Sequence, residues 1–322
     1  MEDKPDISVI IPAYNEEDTI GECLASLEKL DYPSEKLEII LINDGSSDNT
    51  KHVMSSYTKK LDLVLLETEG VGPSKARNIG LDRASGEYVA FIDADCAVDG
   101  NWLNELLKGF MTEDVAGVGG SQIIPVNATE FEKKVHVFLS GMHFVSEYMK
   151  EADGMKIVQH VASCNAIYKT RVVREVQGFD EQLWPGEDVD LDYKITHKGY
   201  TIAYNPKAIV MHHRPKDVKG FYSMMKRYGG AQAYLLRKHG FFRKLHYVPI
   251  LEVLVLMGLG MVMVFDVYLG IGVAFLMLLC AAMLFVLKSG LKHGINNCMI
   301  LIVTVIGWNL GFGIGLVSMR KT

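Results

Sequence analysis

Apolar residues in the first part of the chain occur in short, nearly unbroken runs that alternate with longer amphipathic stretches. The apolar runs are Ile7–Ile11, Leu37–Ile42, Leu61–Leu66 and Tyr88–Ile92. Runs of this length without regular polar alternation are typical of strands that are buried on both faces. Between them, residues 16–30 and 74–84 show helical spacing of apolar positions. The alternation predicts an α/β fold in which a mostly parallel, twisted sheet carries flanking helices.

The pattern changes near Tyr247, after which charged residues nearly vanish. Three apolar stretches follow, which are Pro249–Phe265, Val267–Leu287 and Ile295–Met319. Each is long enough to cross about 30 Å of hydrocarbon as a helix. A buried helical core is the alternative, but the helices of such a core are seldom apolar on every face over this length. We therefore predict a soluble domain over residues 1–215 and a membrane domain over residues 248–322 with three transmembrane helices.

Basic and aromatic side chains are interleaved over residues 216–247, between the two predicted domains. This mixture is typical of helices that lie at a membrane surface, where cations meet anionic headgroups. The alternative is a helix that docks on the soluble domain and exposes a basic face. We predict interfacial helices here, with membrane lipids as partners.

The charges of the loops predict the orientation of the membrane domain. Lys288 and Lys292 lie between the second and third predicted spans, whereas the loop between the first and second carries only Asp266. Because positive loops stay in the cytoplasm, the soluble domain, two crossings away, is predicted to be cytoplasmic in a multi-pass protein of the cell membrane. Arg320 and Lys321 would then end outside, unless the third segment is re-entrant rather than spanning.

The composition of the chain limits the classes of partner and metal that we expect. The chain has 322 residues, with 33 Lys and Arg against 39 Asp and Glu, and a formal net charge of −6. This acidic balance argues against nucleic acid as a general partner. The five cysteines show no metal-ligand spacing, so the sequence predicts neither a zinc site nor disulfides.

Two carboxylates follow directly after the fourth apolar run, at Asp93 and Asp95. Like charges this close repel each other, and a cation offsets the cost of keeping both ionised. Mg²⁺ or Mn²⁺ suits such a site, because hard cations take oxygen ligands and are completed by substrate phosphates. A solvated turn is the alternative for an isolated Asp-x-Asp sequence.

Polar side chains also follow the first two apolar runs, and parallel strands would bring them to the same rim of the sheet. Tyr14 offers a ring face for a nucleotide base, and Asp44 can accept a hydrogen bond from a ribose hydroxyl or a base N–H. The alternative for the second loop is that it only caps the following helix. We expect Asp48 to be a cap and Asp44 to be a ligand.

A glycine-rich segment, residues 70–78, leads from the third run into a helix. The first turns of this helix carry Lys75 and Arg77 beside a free N-terminus, and together these groups favour an anionic phosphate. A solvated basic helix start would look similar. The proximity of the other polar loops favours the phosphate.

Four segments of the chain resemble, in order and spacing, the motifs of the family 2 glycosyltransferases. They are Ser8–Glu16, Ile42–Thr50, Ala76–Gly80 and Asp93–Asp95. Two later segments, residues 178–181 and 186–191, resemble the acceptor-side Glu-Asp motif of the family. The resemblance implies the GT-A fold, a nucleotide-diphosphate-sugar donor, an Mg²⁺ or Mn²⁺ ion, and inversion at the anomeric carbon.

By motif position, the resemblance implies roles for individual residues. Asp95 would meet the metal ion, Asp93 would meet the ribose or diphosphate, and Asp188 would be the general base. The metal would also have a histidine nearby, His212 or its neighbour His213, which face opposite ways if they are adjacent on a strand. The remaining donor-binding residues would be Pro12, Tyr14, Glu16 and Asp44 at the nucleoside, with Lys75 and Arg77 near the donor.

The residue types around Asp188 fit that role. Glu187, Asp188 and Asp190 crowd three acids at a predicted helix start, and like-charge repulsion raises a pKa toward the value that a base needs. The helix N-terminus opposes that rise. The alternative is that these acids only cap the helix over residues 189–198. Glu187 is the substitute candidate for the base.

Two features bear on the product and the acceptor. The Gln-x-x-Arg-Trp motif of processive polysaccharide synthases is absent from the sequence, which favours the addition of one sugar. Fusion to a membrane anchor predicts a lipid-linked acceptor, either a polyprenyl phosphate or a glycan carried on one. The alternatives are a glycolipid synthase with a diacylglycerol-type acceptor and a non-catalytic, nucleotide-binding membrane scaffold.

Overall fold

The structure is a computed structural model that describes residues 4–58, 60–141, 154–273, 276 and 291–318. The chain forms two compact units. The first consists of Met1–Ala128 and Leu139–Arg214, and the second of Thr129–Phe138 and Pro215–Thr322. The first unit contains the predicted strands and motifs, and the second contains the apolar C-terminal segments.

The secondary structure up to residue 214 follows the apolar pattern. The strands are β1 (Ile7–Ala13), β2 (Leu37–Asp44), β3 (Leu63–Thr68), β4 (Tyr88–Phe91), β5 (Cys96–Val98), β6 (Val115–Ile123), β7 (Lys156–Val158), β8 (Ala166–Lys169) and β9 (Thr201–His212). The helices are α1 (Ile20–Leu27), α2 (Thr50–Tyr57), α3 (Pro73–Arg83), α4 (Trp102–Leu107), α5 (Glu130–Gly141), α6 (Thr170–Glu175) and α7 (Glu187–His197). The four predicted strands are confirmed, with ends shifted by at most two residues.

Within the described residues, nine strands form one sheet. Eight of them follow the order β3-β2-β1-β4-β8-β6-β9-β5, and β7 pairs with β9. The strands β3, β2, β1 and β4 are parallel to one another. On the other side β8 runs antiparallel to β4 and β6, β9 is parallel to β6, and β5 and β7 are antiparallel to β9. The sheet is therefore mixed, and the mostly parallel arrangement holds for the side built from the predicted strands.

Apolar layers cover both faces of the sheet. Val9 of β1 packs in the layer that contains α1, and its neighbour Ile10 packs in the layer that contains α3. A Cβ added to Gly80 of α3 would lie 2.6 Å from Cγ2 of Ile10, so only glycine permits this approach. The close contact holds α3 against the sheet, with its first turn at the end where β1 and β2 finish.

The second unit is helical in its described residues after 215. Its helices are α8 (Val218–His239), α9 (Val248–Phe265) and α10 (Leu291–Val317). Two segments, Lys244–Phe265 and Met299–Val317, are long and apolar enough to cross a membrane, with mean hydropathies of 2.4 and 2.1. They coincide with the first and third predicted spans, and most of the second predicted span, Val267–Leu287, lies outside the described residues.

Helices α8 and α10 pack closely through glycines. A Cβ on Gly229 would lie 1.9 Å from the carbonyl oxygen of Trp308, and one on Gly311 would lie 1.9 Å from that of Lys226. No side chain fits at either position, because such distances are far below van der Waals contact. The two backbones therefore touch directly, as in the small-residue interfaces of membrane helices.

Candidate active site

The two carboxylates predicted to hold a cation lie in a tight turn at the end of β4. The N–H of Cys96 donates to the carbonyl oxygen of Asp93 at 3.0 Å and closes this turn. The exposed fraction of the side chain is 33% for Asp93 and 31% for Asp95. Both carboxylates therefore reach the space beyond the carboxyl end of the strand, where ligands bind in open α/β sheets.

Strand β9 brings a histidine to Asp95. Cys96 of β5 is the register partner of His212 in β9. The Nε2 atom of His212 lies 3.5 Å from Oδ2 of Asp95. Burial lowers the pKa of His212, but Asp95 and Cys164 together more than reverse this effect and raise the pKa to about 10. Of the two adjacent histidines, His212 is thus the one that faces Asp95.

Glu16 joins the aspartates in a group that we call the acid rim (Glu16, Asp93 and Asp95). Burial, followed by the charges of Asp95 and Asp93, raises the pKa of Glu16 from 4.5 to about 7. This rise occurs although Thr19 Oγ1 donates to Glu16 Oε2 at 2.7 Å, a contact that favours the ionised form. Carboxylates that oppose one another's ionisation create a negative potential that a bound cation offsets.

The atoms at this rim suit a divalent cation. Bonds of about 2.1 Å, as Mg²⁺ forms, place two ligand atoms at right angles about 3 Å apart. The 3.5 Å between His212 Nε2 and Asp95 Oδ2 is close to that spacing. The residues that would hold the ion are therefore Asp95 and His212, and carboxylate and imidazole are accepted ligand types for Mn²⁺ and similar ions.

Arg77 of α3 joins Asp93 to the acids at the start of α7. Its Nη2 donates to Oδ1 of Asp93 at 2.6 Å, and its Nη1 donates to Oε1 of Glu187 at 2.7 Å. The side chain of Arg77 is only 2% exposed. Burial lowers its pKa, but Asp93 and Glu187 more than reverse this effect and keep the guanidinium charged. The predicted contact between Arg77 and a donor stays a prediction, because both terminal nitrogens bond to carboxylates here.

The two candidate bases differ in their surroundings. Glu187 is buried, and burial raises its pKa to about 7 against the opposing charge of Arg77. Asp188 is half-buried, and its Oδ1 accepts from the N–H of Val189 at 2.8 Å. The Asp188 carboxylate is therefore the more accessible to a substrate of the two.

Asp44 holds the glycine-rich loop. Its Oδ1 accepts from the hydroxyl of Thr68 at 2.5 Å and from the N–H of Val71 at 2.7 Å. Its Oδ2 accepts from the N–H of Gly72 at 2.8 Å. Since a carboxylate has about four acceptor sites, room remains for one further donor on Oδ2. The role of Asp44 at the nucleoside stays a prediction, and the structure adds a role in ordering the loop.

The loops after β1 and β2 are tied to each other. The N–H of Ser47 donates to Asn15 Oδ1 at 2.8 Å, and the N–H of Thr50 donates to Asp48 Oδ1 at 3.0 Å. The second contact ties Asp48 to Thr50, the first residue of α2, whereas the N-cap position itself is Asn49. Beside these contacts the ring of Tyr14 is 57% exposed, as a base-stacking residue requires.

The other two predicted donor residues occupy different settings. Pro12 is a buried residue of β1, where it pairs in register with Ile42. Lys75 is half-exposed, and its Nζ lies 3.8 Å from Glu181 in the loop before α7. Pro12 therefore shapes the rim from within the sheet, whereas Lys75 remains accessible to an anion.

Two polar residues at the site escaped the sequence analysis. Gln122 of β6 and Arg214, just after β9, are both buried, with exposed fractions of 6% and 8%. Each lies against His212, Gln122 at 3.0 Å and Arg214 at 3.4 Å from its Nδ1. Gln122 lies in a glycine-rich segment for which no strand was predicted, and it carries no spacing signal. Arg214 comes two residues after a candidate metal ligand, which is a signal that could have found it.

The fold is that of the GT-A glycosyltransferases. The solved structure of the mannosyltransferase PcManGT from Pyrobaculum calidifontis, described as a complex with GDP-Man and Mn²⁺, aligns with a TM-score of 0.65 at 20% identity. The alignment covers 99% of this chain and 89% of that one. At this identity the likeness shows the shared architecture, a mixed twisted sheet with flanking helices.

The chain belongs to glycosyl transferase family 2. The sequence model of this family matches residues 8–177, which is more than half of the chain. The glycosyltransferase AglE of Haloferax volcanii is 31% identical over 212 residues, which are 65% of this chain and 67% of AglE. The probable glycosyltransferase YdaM of Bacillus subtilis is 26% identical over 245 residues, which are 74% of this chain and 58% of YdaM. Family membership supports sugar transfer from a nucleotide sugar.

Proposed function

We propose that the chain is an inverting glycosyltransferase that transfers one sugar from a nucleotide-diphosphate sugar to a lipid-linked acceptor at the cytoplasmic face of the cell membrane. The observation that carries the proposal is the Asp95–His212 pair, set within the acid rim at the end of β4. The GDP-Man and Mn²⁺ of the Pyrobaculum structure support a donor and a metal of these kinds.

In this proposal the donor binds across the strand ends. The exposed ring of Tyr14 stacks on the base, and Asp44 accepts from the base or the ribose. Pro12 and Glu16 shape the same pocket. The half-exposed ammonium of Lys75 and the positive N-terminus of α3 attract the diphosphate.

Asp95 and His212 hold the cation, and Asp93 lies on the ribose or diphosphate side. When bound, Mg²⁺ or Mn²⁺ supplies positive charge that neutralises the diphosphate as it leaves. Arg77 adds a fixed positive charge behind Asp93, because its guanidinium is buried and cannot turn away. The chain thus places positive groups where negative charge grows in the transition state.

Where the attacking group is a hydroxyl of a lipid-linked glycan, Asp188 takes its proton, whereas the oxygen of a polyprenyl phosphate is already ionised and attacks without a base. A general base needs to reach the attacking oxygen, and the half-buried Asp188 carboxylate is accessible at the start of α7. Glu187 is the substitute candidate, since its pKa of about 7 suits proton transfer, but its Oε1 is bonded to Arg77. Attack from the face opposite the leaving group inverts the anomeric carbon.

The acceptor proposal rests on the second unit. The two apolar segments Lys244–Phe265 and Met299–Val317 suit a multi-pass membrane protein, and residues 216–247 add cations for anionic headgroups or a carrier phosphate. The acceptor is then a polyprenyl phosphate or a glycan carried on one. A glycolipid synthase with a diacylglycerol-type acceptor is the second candidate, favoured by the same segments.

Lipid extraction tests this function. Membranes that contain the protein are incubated with Mn²⁺ and a panel of radiolabelled UDP- and GDP-sugars, and the lipids are then extracted. We expect label in the lipid fraction with at least one donor, and mild acid should release it from a polyprenyl phosphate but not from a diacylglycerol. Absence of labelled lipid with every donor would contradict the lipid acceptor.

Paired variants test the base. Asp188→Asn should abolish transfer to a hydroxyl acceptor and leave nucleotide-sugar affinity within about threefold, because only proton transfer is lost. Glu187→Gln, one residue away, is the matched control and should retain measurable transfer. The opposite ranking of the two variants would assign the base to Glu187. Loss of donor affinity in Asp188→Asn would make Asp188 a structural residue.

A further inference from the structure

His212 is held from behind by two buried polar side chains. Nη2 of Arg214 donates to Oε1 of Gln122 at 2.9 Å, and the same Oε1 lies 3.0 Å from Nδ1 of His212. On its other side, the Nε2 atom of His212 faces Asp95 at 3.5 Å. The three residues therefore form a chain that runs from a fixed cation to the acid rim.

The donors and acceptors in this chain determine which imidazole nitrogen carries hydrogen. A guanidinium can only donate, so the Gln122 atom that faces Arg214 is the amide oxygen. An amide oxygen can only accept, so Nδ1 of His212 must donate to it. In the absence of a cation the proton on Nε2 faces Asp95, and a bound cation would replace that proton and take the Nε2 lone pair.

We propose that Gln122 is a positioning residue that fixes His212 with Nε2 available to a divalent cation. This inference rests on the proposed function, which places the cation at Asp95. Ligating histidines usually donate their second ring N–H to an oxygen, which sets both the tautomer and the ring orientation. Gln122 provides that oxygen, and Arg214 keeps the amide from turning its NH₂ group toward the ring.

The hydrogen on Nδ1 of His212 opposes a second metal site nearby. The ligand atoms of Cys96, Cys164 and His212 all lie within 4.8 Å of one another, as those of a soft-metal site would. However, the imidazole nitrogen on that side is the protonated Nδ1, which lies 3.8 Å from the thiol of Cys164. The cationic Nη1 of Arg214 also lies 3.4 Å from this nitrogen. Cys164 is therefore a neighbour of His212 without a part in holding the cation.

Titration of Mn²⁺ into the full-length protein tests the positioning role. Free Mn²⁺ is followed by electron paramagnetic resonance in the presence of UDP and, separately, of GDP. Gln122→Met keeps the length of the side chain and removes the acceptor, so we expect the dissociation constant of Mn²⁺ to rise about 10- to 100-fold. Gln122→Glu retains an acceptor oxygen and should bind Mn²⁺ within about threefold of the unaltered protein. Cys164→Ser is the matched control and should leave the affinity unchanged.

Each outcome of the Mn²⁺ titration either supports or contradicts the positioning role of Gln122. A folded Gln122→Met protein with unchanged Mn²⁺ affinity would overturn it, and so would a loss of affinity in Cys164→Ser as large as that in Gln122→Met. If Gln122→Met does not fold, Gln122→Asn replaces it, since a side chain shorter by one methylene cannot reach Nδ1. Because this measurement needs neither sugar nor acceptor, a failure of lipid labelling would contradict the proposed function and leave the Gln122 result standing. Absence of Mn²⁺ binding in the unaltered protein would overturn both the metal site and the inference.

Discussion

At the scale of single residues, the most consequential contact is the one guanidinium shared by two carboxylates. Arg77 bonds to Asp93 after β4 and to Glu187 beside the candidate base, and all three residues come from separate segments of the chain. A buried charge of this kind is stable only while its partners remain. Asp93 and Glu187 are therefore coupled through a side chain that both need.

Replacing Arg77 should expose that coupling. Arg77→Met leaves two carboxylates without their cation, and we expect the free energy of unfolding to fall by about 3–5 kcal/mol. Chemical denaturation of the detergent-solubilised protein measures this change. The double variant Arg77→Met with Glu187→Gln removes one of the stranded charges and should be more stable than Arg77→Met alone. Equal stability of the two variants would contradict the electrostatic account.

The raised pKa of Glu16 makes the free energy of unfolding depend on pH. Its folded-state pKa of about 7 lies above the ordinary 4.5, so the contribution of Glu16 to stability is fully present below pH 4.5 and is lost as the pH rises through 7. Glu16→Gln removes this ionisation and should raise the unfolding temperature at pH 8 but not at pH 4.5. Thermal unfolding at both values checks the sign. A variant that is less stable than the unaltered protein at pH 8 would show that the ionised carboxylate is stabilised.

The carboxylates of the site could be found from sequence, whereas the groups behind them could not. Asp93 and Asp95 follow a strand of high apolar content, and this position alone predicts that they reach the rim. The contact between Asp95 and His212 needed the pairing of β5 with β9, which joins residues more than a hundred positions apart. Gln122 was missed for the same reason, because its partners are set by the tertiary fold.

At the scale of elements, the turn after β2 and the glycine-rich loop after β3 are built together. Asp44, the last residue of β2, accepts from the backbone of Val71 and Gly72. Gly45 comes next and has a φ of +72°, a conformation that glycine adopts at little cost. A Cβ at Gly45 would lie 2.9 Å from the backbone nitrogen of Gly70, so the turn and the loop are in direct contact.

Gly45 and Gly70 have nearly the same φ, so replacing each by alanine distinguishes the cost of backbone strain from the cost of disturbing this contact. Gly70 has a φ of +71°, and a Cβ added there would meet open space. We therefore expect Gly70→Ala to lower the free energy of unfolding only by the conformational cost, about 1–2 kcal/mol. Gly45→Ala bears the same cost and also pushes on the loop, so it should lose more stability and weaken UDP or GDP binding. Denaturation and isothermal titration calorimetry on both variants test this. Equal effects would show that the loop yields freely.

The strands on the two sides of the sheet differ in how well their sequences predict them. The apolar pattern alone predicts the four short strands β1, β2, β3 and β4. β6 contains three glycines, and β9 is interrupted by Asn205 and Pro206, so neither reads as an unbroken apolar strand. Their register, with shifts near Gly120, is set by packing against β8 and α4 rather than by local propensity.

At the scale of the whole molecule, a globular α/β unit and an apolar helical unit share one chain. If the second unit crosses the bilayer, as we propose, then alkaline carbonate should leave the protein in the membrane pellet, because this treatment releases proteins held only by charge. Immunoblotting of pellet and supernatant measures the distribution. Release into the supernatant would mean that the basic and aromatic residues 216–247 provide peripheral attachment only.

The glycine contacts between α8 and α10 have a practical consequence. Van der Waals packing and weak Cα–H···O bonds stabilise contacts between bare backbones, and neither interaction requires the hydrophobic effect. The pair joined at Gly229 and Gly311 should therefore persist when detergent replaces lipid. Cysteines introduced on facing positions of the two helices should crosslink equally well in membranes and in micelles. We therefore expect purification in mild detergent to preserve this part of the fold. The detergent can then be chosen for the solubility of the lipid substrate.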